Sequence, residues 1–349
     1  MKIFYLYSEL MDYSLATITE LASFGINIHV VHWDIAKKTP YKITPINNVI
    51  FYNRSTLNAK SIATLIKVHA PDLIVISGWM DAEYLKVVRN INKSRIKIVC
   101  GFDDLWRGTI KQNIARLLGF FGFFSRYFTH AWVCGPSQYE YARKLGFNND
   151  KIIYDLYSAN LPRIYSAKIK RNQINKTHPH TFLYVGRFAP EKGLSTLLDA
   201  WKLLEPDRQG WKLILVGNGR LPNNFKKTPN ISIYNFMQPD ELSECYLSAG
   251  CLIMPSTFEP WGVVLHEAAA AGLPLIASNA VDSAKTFLIS GYNGYLFEVS
   301  SSDSLVHCMK KVINKSDFEL ECMSNASLHL SKRITPSSSA SNLLSILNL

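Results

Sequence analysis

Phe182-Leu183-Tyr184-Val185-Gly186-Arg187-Phe188-Ala189-Pro190-Glu191-Lys192-Gly193 reads as a strand, a loop and the start of a helix. Its first four residues are apolar, aromatic or β-branched, the composition of a short buried strand. Gly186 and Pro190 break the extended run, and 193–204 carries the apolar spacing of a helix. The same unit recurs on both sides. Downstream, strands expected at 212–216, 231–234, 251–255 and 274–278 alternate with helices at 240–249 and 262–271. Upstream, strands expected at 3–7, 28–32, 73–77, 96–100 and 131–134 lie among helices at 15–24, 59–69 and 81–91. Such alternation predicts βαβ units and parallel sheets covered on both faces. The 166–180 segment is polar and basic, lacks apolar periodicity, and reads as a linker. A chain of 349 residues exceeds what one hydrophobic core usually organises. The expectation is an α/β pair of doubly wound domains, 1–165 and 181–330. The remaining 331–349 is expected as a helix packing back on the first domain. Ligands of such sheets sit beyond the carboxyl ends of the strands, here in a cleft between the domains.

The residues richest in chemistry are Pro255-Ser256-Thr257-Phe258-Glu259-Pro260-Trp261-Gly262-Val263-Val264-Leu265-His266-Glu267. A strand ends, a short loop carries Glu259, and Pro260 pre-sets φ for the coming helix. Gly262 lets a ligand approach the backbone closely. The first free N–H groups of the following helix form a ready anion site. Glu267 lies one to one and a half turns inside, roughly 8 Å along the axis. A helix with an N-terminal acid and a buried, hydrogen-bonded glutamate accounts for the same residues. The opening stretch adds Arg187 and Lys192 at the carboxyl end of another strand. Arg offers a planar fork for phosphate oxygens and Lys a compact positive charge; either alone also suits a surface turn.

Together these stretches resemble the retaining glycosyltransferases of family 4. Their marks are a G-R-x-x-x-x-K-G loop and a Glu–seven residues–Glu segment, here Gly186-Arg187…Lys192-Gly193 and Glu259…Glu267. Val216-Gly217-Asn218-Gly219 matches that family's glycine turn, and 268–278 the helix and strand after its glutamate pair. The specific match covers roughly 182–297; the first half matches only in organisation. The resemblance implies a GT-B fold, two Rossmann-like domains facing each other across a cleft. It implies metal-independent transfer, without a cofactor, from a nucleotide-diphosphate sugar to a glycan or lipid-linked acceptor in cell-surface polysaccharide assembly. Arg187 and Lys192 would neutralise the leaving diphosphate, Glu259 would bind sugar hydroxyls and Glu267 the ribose. The amides of Gly262, Val263 and Val264 would hold the distal phosphate, with Gly186 and Gly217 in the same donor site. Two features depart from the family. Asp103, in Val99-Cys100-Gly101-Phe102-Asp103-Asp104, stands where members commonly carry a histidine facing the donor sugar. It can accept a sugar hydroxyl or stabilise an oxocarbenium-like centre; Asp103 or Asp104 equally suits a helix N-cap. The Gly-Gly loop often found after the first strand is replaced by Tyr7-Ser8-Glu9-Leu10-Met11-Asp12-Tyr13.

Charge divides the chain. Residues 1–180 hold 24 Lys and Arg against 12 Asp and Glu, whereas 181–349 hold 14 against 15. A basic first half predicts an anionic partner, whether a membrane surface, a lipid phosphate or a nucleic acid, or else a lysine-rich solvated face. The stretch 106–128 sets Arg107, Lys111, Arg116 and Arg126 among Leu117, Leu118, Phe120, Phe121, Phe123 and Phe124. It suits a membrane interface or a core-facing helix weakened by Gly119 and Gly122. Nucleic acid is not expected, since aromatic-plus-basic sheet signatures are missing. No run reaches the roughly 18–20 apolar residues that span a bilayer, and the opening residues read as a strand rather than a signal peptide. Six scattered cysteines without a C-x-x-C pair suit reduced thiols in a cytoplasmic protein, peripheral at the membrane, and give no zinc site. A dehydrogenase is disfavoured because Gly217-Asn218-Gly219-Arg220-Leu221-Pro222 ends in proline where close packing wants glycine. A GT-B sugar-nucleotide epimerase or a non-catalytic sugar-nucleotide-binding subunit is the alternative.

Overall fold

The computed structural model describes residues 1–35, 39–172, 178–222 and 230–347. The chain divides into two compact units, Met1–Ser158 with Pro336–Leu349, and Ala159–Thr335.

The first unit is built on a parallel sheet of seven strands: β1 (Lys2–Tyr7), β2 (Asn27–His32), β3 (Val49–Asn53), β4 (Leu73–Ser77), β5 (Lys97–Phe102), β6 (His130–Val133) and β7 (Ile152–Ile153). Their order is β3-β2-β1-β4-β5-β6-β7. Five consecutive residues of β1, Ile3 to Tyr7, are buried, as a strand covered on both faces requires. Phe4, Ile74, Val88, Ile98 and Tyr141 belong to one apolar core between the sheet and its helices. The C-terminal helix Pro336–Leu344 is part of this unit and packs on the helix Asp12–Ser23. There Thr17 Oγ1 and Ser339 Oγ lie 3.0 Å apart.

The second unit repeats the plan with β8 (Thr181–Val185), β9 (Lys212–Val216), β10 (Ile231–Tyr234), β11 (Cys251–Met254), β12 (Leu275–Ser278) and β13 (Gly294–Phe297), all parallel. The order is β10-β9-β8-β11-β12-β13. The chain winds outward from β8 in one direction and from β11 in the other. The β8/β11 boundary is therefore a topological switch point, where such sheets place ligands. The strands also part there. β8 pairs with β9 over its whole length, but with β11 only through Phe182–Cys251 and Leu183–Leu252. Their carboxyl ends diverge beyond those pairs.

Three expectations differ from the structure. The 166–180 linker is helical over its first part, because the helix Leu161–Asn172 continues from an anchored first turn. Leu161 and Ile164 are buried and Arg163 Nη1 donates to Asp240 Oδ1 at 2.8 Å; residues 173–177 of that segment lie outside the described residues. The strand expected through Pro255 ends at Met254, since proline cannot donate to the ladder. Strands β3, β7 and β13 had no counterpart in the sequence reading. No helix among the described residues is long and apolar enough to cross a membrane.

Candidate active site

The loops that follow β8 and β11 are laced together. The Thr257 N–H donates to the Glu191 carbonyl at 2.9 Å, and the Thr257 hydroxyl to the same oxygen at 3.3 Å. Gly193 sits in the left-handed region at φ +67°, where a Cβ would lie 1.8 Å from the Pro255 carbonyl oxygen. Only glycine allows the two loops this approach.

That approach brings Lys192 against Glu259. Nζ donates to Oε2 at 2.5 Å, with the side chains 19% and 9% exposed. The Ser256 hydroxyl donates to the same oxygen at 3.2 Å. Glu259 is fixed through its backbone as well. Its N–H donates to the Ala280 carbonyl at 3.3 Å, and its carbonyl accepts from Asp282 N–H at 3.1 Å. The buried Tyr184 phenol donates to the Arg187 carbonyl at 2.8 Å and holds the β8 loop. Burial first, and then the Glu259 charge, raises its pKa.

Arg187 stands apart from this pair. Its Nη2 donates to Glu191 Oε1 at 2.8 Å, in an ion pair with about half of each side chain exposed. The Glu191 carboxyl titrates below its ordinary range, chiefly through its own backbone amide, then through Arg187 and Lys192. Gly186 N–H donates to the Val216 carbonyl and Gly217 N–H to the Tyr234 carbonyl, each at 3.0 Å. These bonds extend the β8, β9 and β10 ladder into the loops.

Gly262 caps the helix Val263–Ala270 with φ +89° and ψ +70°. A Cβ there would meet Met254 Cε at 2.6 Å and Glu259 Cγ at 2.8 Å. The amides of Val263 and Val264 cannot find partners inside a helix that starts with them, and they carry the positive end of its dipole. One turn further in, Glu267 Oε2 accepts from the Tyr246 phenol at 2.8 Å. Tyr246 is buried, and burial first, then Glu267, raises its pKa, so it remains a donor. The neighbouring His266 is fully buried and faces away from this chemistry. Its Nδ1 accepts from Ala159 N–H at 3.1 Å and its Nε2 donates to the Ser331 carbonyl at 2.8 Å. Its ring stacks on Phe287 at 4.0 Å, and burial lowers its pKa to about 4.

The second unit thus brings together Lys192, Glu259, Gly262, Val263, Val264 and Glu267 at its switch point, with Arg187, Gly186 and Gly217 on adjoining loops. Asp103 is in the first unit, directly after β5, at the carboxyl end of that sheet. Its carbonyl accepts from Gln138 Nε2 at 3.3 Å, and its charge, after burial, raises the phenols of Tyr13 and Tyr157. Those rings lie 4.6 Å apart. Ser256, Tyr184 and Tyr246 also hold this site together, and their sequence context does not single them out. A buried tyrosine within a helix or strand carries no signal of the carboxylate or carbonyl it will meet. Among the described residues no group of three or more His, Cys, Asp and Glu side chains could hold a metal ion.

Residues 166–329 match the family model of the glycosyl transferases group 1. The match covers just under half of the chain. A glycosyltransferase of Haemophilus influenzae, itself uncharacterised, is 28% identical over 158 residues, 44% of this chain and 45% of that protein. The lipopolysaccharide 1,2-N-acetylglucosaminetransferase of Salmonella typhimurium is 31% identical over 160 residues, 41% and 42% of the two chains. The matches thus span under half the length of these relatives. Two solved structures extend over nearly the whole chain. A Rickettsia africae glycosyltransferase superposes with a TM-score of 0.74 at 14% identity, covering 99% of this chain and 97% of that one. Anabaena HepE in complex with UDP and glucose gives 0.72 at 17% identity, covering 100% and 99%. The likeness is one of fold, and the fold is the GT-B type expected from the sequence, two Rossmann-like doubly wound α/β units.

Proposed function

We propose that this chain is a retaining, metal-independent glycosyltransferase of family 4 type, moving a sugar from a nucleotide-diphosphate donor to a glycan or lipid-linked acceptor. The observation that carries this reading is the Lys192–Glu259 pair at 2.5 Å beside the Gly262-capped helix start, on the β8/β11 switch point. A cation, a carboxylate and two unpaired helical amides there suit the diphosphate and the sugar hydroxyls of a nucleotide sugar.

In this reading the Val263 and Val264 amides receive the distal phosphate, and Lys192 and Arg187 stabilise its growing charge as the glycosidic bond breaks. Preorganised charge of this kind supplies the largest part of most rate enhancements. Glu259 orients sugar hydroxyls, and Glu267, fixed by Tyr246, receives the ribose hydroxyls. The acceptor oxygen bonds the anomeric carbon on the face the phosphate leaves. The acceptor's proton passes to the departing phosphate oxygen, so no protein nucleophile is used. Asp103 acts from the first unit on the acceptor side. Support for a nucleoside-diphosphate donor comes from HepE, solved with UDP and glucose. Support for cell-surface polysaccharide assembly comes from the Salmonella relative and from an amylovoran biosynthesis glycosyltransferase of Erwinia amylovora, 31% identical over 136 residues. The basic first half makes an anionic membrane surface its partner, with the chain peripheral on the cytoplasmic face.

Lys192→Ala and Glu267→Ala should each abolish transfer from a nucleotide sugar while the chain still unfolds in one cooperative thermal transition, at a lowered midpoint. EDTA should leave the wild-type rate unchanged. Loss of activity in chelator, restored by magnesium, would overturn the metal-independent step. Epimerised donor without glycosylated acceptor would overturn the transferase.

A further inference from the structure

The helix Ile110–Phe120 in the first unit is turned inside out. Its buried positions are Gln112 and Gly119, one face of a 100° per residue helix. Gly119 presses on the Leu145 backbone so closely that a Cβ would lie 2.3 Å from the Leu145 carbonyl oxygen. Gln112 is tied inward, its Nε2 donating to the Leu105 carbonyl at 2.7 Å. The opposite face is apolar and points to solvent: Ile110 is 81% exposed, Ile114 54%, Leu117 60% and Phe121, at the C-cap, 70%. Phe120 beside it is 82% exposed. An ordinary surface helix places such a stripe against the core, and contiguous exposed apolar patches mark interaction sites.

Cations flank this stripe on both sides. Lys111 and Arg116 lie about 100° to 120° from its centre, and Arg143 and Lys144 come from the end of the next helix, Pro136–Lys144. None of these four pairs with a carboxylate among the described residues. Lys144 Nζ instead stands 5.4 Å over the Trp106 ring, and Arg143 Nη1 donates to the Phe147 carbonyl at 2.7 Å. Arg116, Arg143 and Lys144 line a cavity of about 450 Å³ together with Asn113, Leu117, Phe120 and Gly146. No acidic side chain among the described residues lines it. Its wall therefore has a cationic part suited to a phosphate and an apolar part continuous with the exposed stripe.

We propose that this cavity holds the phosphate headgroup of an anionic glycerophospholipid while Ile110, Ile114, Leu117, Phe120 and Phe121 enter the bilayer interface. This deepens the membrane partner proposed above into a residue-defined lipid site, and it does not depend on the donor chemistry. The charge pattern selects the occupant. A protein groove would cover the apolar stripe without needing three cations that lack a carboxylate partner beside it, whereas an anionic bilayer meets both at once.

The test is co-sedimentation of the full chain with phosphatidylcholine vesicles, with and without phosphatidylglycerol. Wild type should bind only the anionic vesicles, and Arg116→Gln with Lys144→Gln should weaken binding about 25-fold, near fivefold per cation. Leu117→Ser with Phe120→Ser, both exposed and thus tolerated by the fold, should leave binding that high salt removes entirely, whereas wild type keeps a salt-resistant part. Wild type that ignores anionic vesicles overturns the membrane partner and this site together. Wild type that binds while both double variants bind equally well overturns this site alone. Glycerol phosphate that displaces vesicles at low millimolar concentration would show a soluble-phosphate site instead. Self-association abolished by Leu117→Ser/Phe120→Ser, without lipid binding, would make a second copy the occupant.

Discussion

Replacing Lys192 by methionine should destabilise the protein more than replacing Glu259 by glutamine, and the two changes together should cost less than their sum. The pair sits between two regimes. Solvent-exposed ion pairs contribute about 0–1 kcal/mol, and removing one member of a buried pair costs about 3–5 kcal/mol. Here the side chains are 19% and 9% exposed. The loss of Lys192 leaves the more buried carboxylate with the Ser256 hydroxyl at 3.2 Å, and a cost of about 2 kcal/mol follows. The loss of the Glu259 charge leaves an ammonium on a flexible stem that can turn toward water, and costs about 1 kcal/mol. The double variant removes both charges and keeps the shape, so about 1.5 kcal/mol is expected, a coupling near 1.5 kcal/mol. Urea unfolding of the four proteins at pH 7 measures it. Repeating the cycle in 0.5 M salt should change the coupling little, because covered pairs are screened less than exposed ones. A coupling below about 0.5 kcal/mol, the level at which independent sites add, would refute the claim that these side chains hold each other at the switch point.

Gly262→Ala should cost about 2 kcal/mol or more, since it combines a left-handed φ with contacts of 2.6 Å and 2.8 Å to Met254 and Glu259; denaturation midpoint and donor affinity should fall together. Tyr246→Phe removes the donor that fixes Glu267, so nucleotide-sugar affinity should drop about fivefold, one hydrogen bond's worth, as calorimetric titration would show. His266, held neutral with a pKa of about 4, makes stability acid-sensitive. Its contribution is complete above the ordinary histidine range near 6.5 and is lost as pH falls from there toward 4, because the unfolded chain takes up the proton first. The full loss is about 3 kcal/mol, and His130, also lowered to about 4 by burial and then by Lys151 and Lys97, acts in the same direction. A urea midpoint that stays level between pH 7 and 4.5 would contradict both.

The central strands were legible because burial on both faces leaves unbroken apolar runs, as in Phe4 to Leu6 or Leu252 to Met254. Edge strands lack that signature. In β3 none of the five residues is buried, and β13 begins with a glycine and buries only its two ends. The helix Leu161–Asn172 was read as linker from residue 166 because the apolar contacts that anchor it, Leu161 and Ile164, precede the polar stretch. In the site, glycines and charged residues advertised themselves by type and spacing. Their partners did not. Lys192 and Glu259 are 67 residues apart, and nothing local couples them; the contact exists because β8 and β11 are neighbours and Gly193 lets their loops close.

The same geometry bears on the roles proposed for the two glutamates. Spacing alone, with seven residues between Glu259 and Glu267, fits a general acid and base on either side of a reacting bond. In the structure each carboxylate is already committed to a donor: Glu259 to Lys192 and Ser256, Glu267 to Tyr246. A carboxylate braced by donors is a fixed acceptor, suited to hydroxyls that must be oriented. Between the two lies the start of the Val263–Ala270 helix, whose amides and dipole attract negative charge. The diphosphate of the proposed donor would be a third anionic group, with Lys192 shared between it and Glu259. In that proposal the lysine links sugar orientation to leaving-group charge. Its conservative replacement by arginine, bulkier and planar, should therefore disturb both, lowering transfer more than it lowers donor affinity, whereas a purely phosphate-binding lysine would lose both in equal measure.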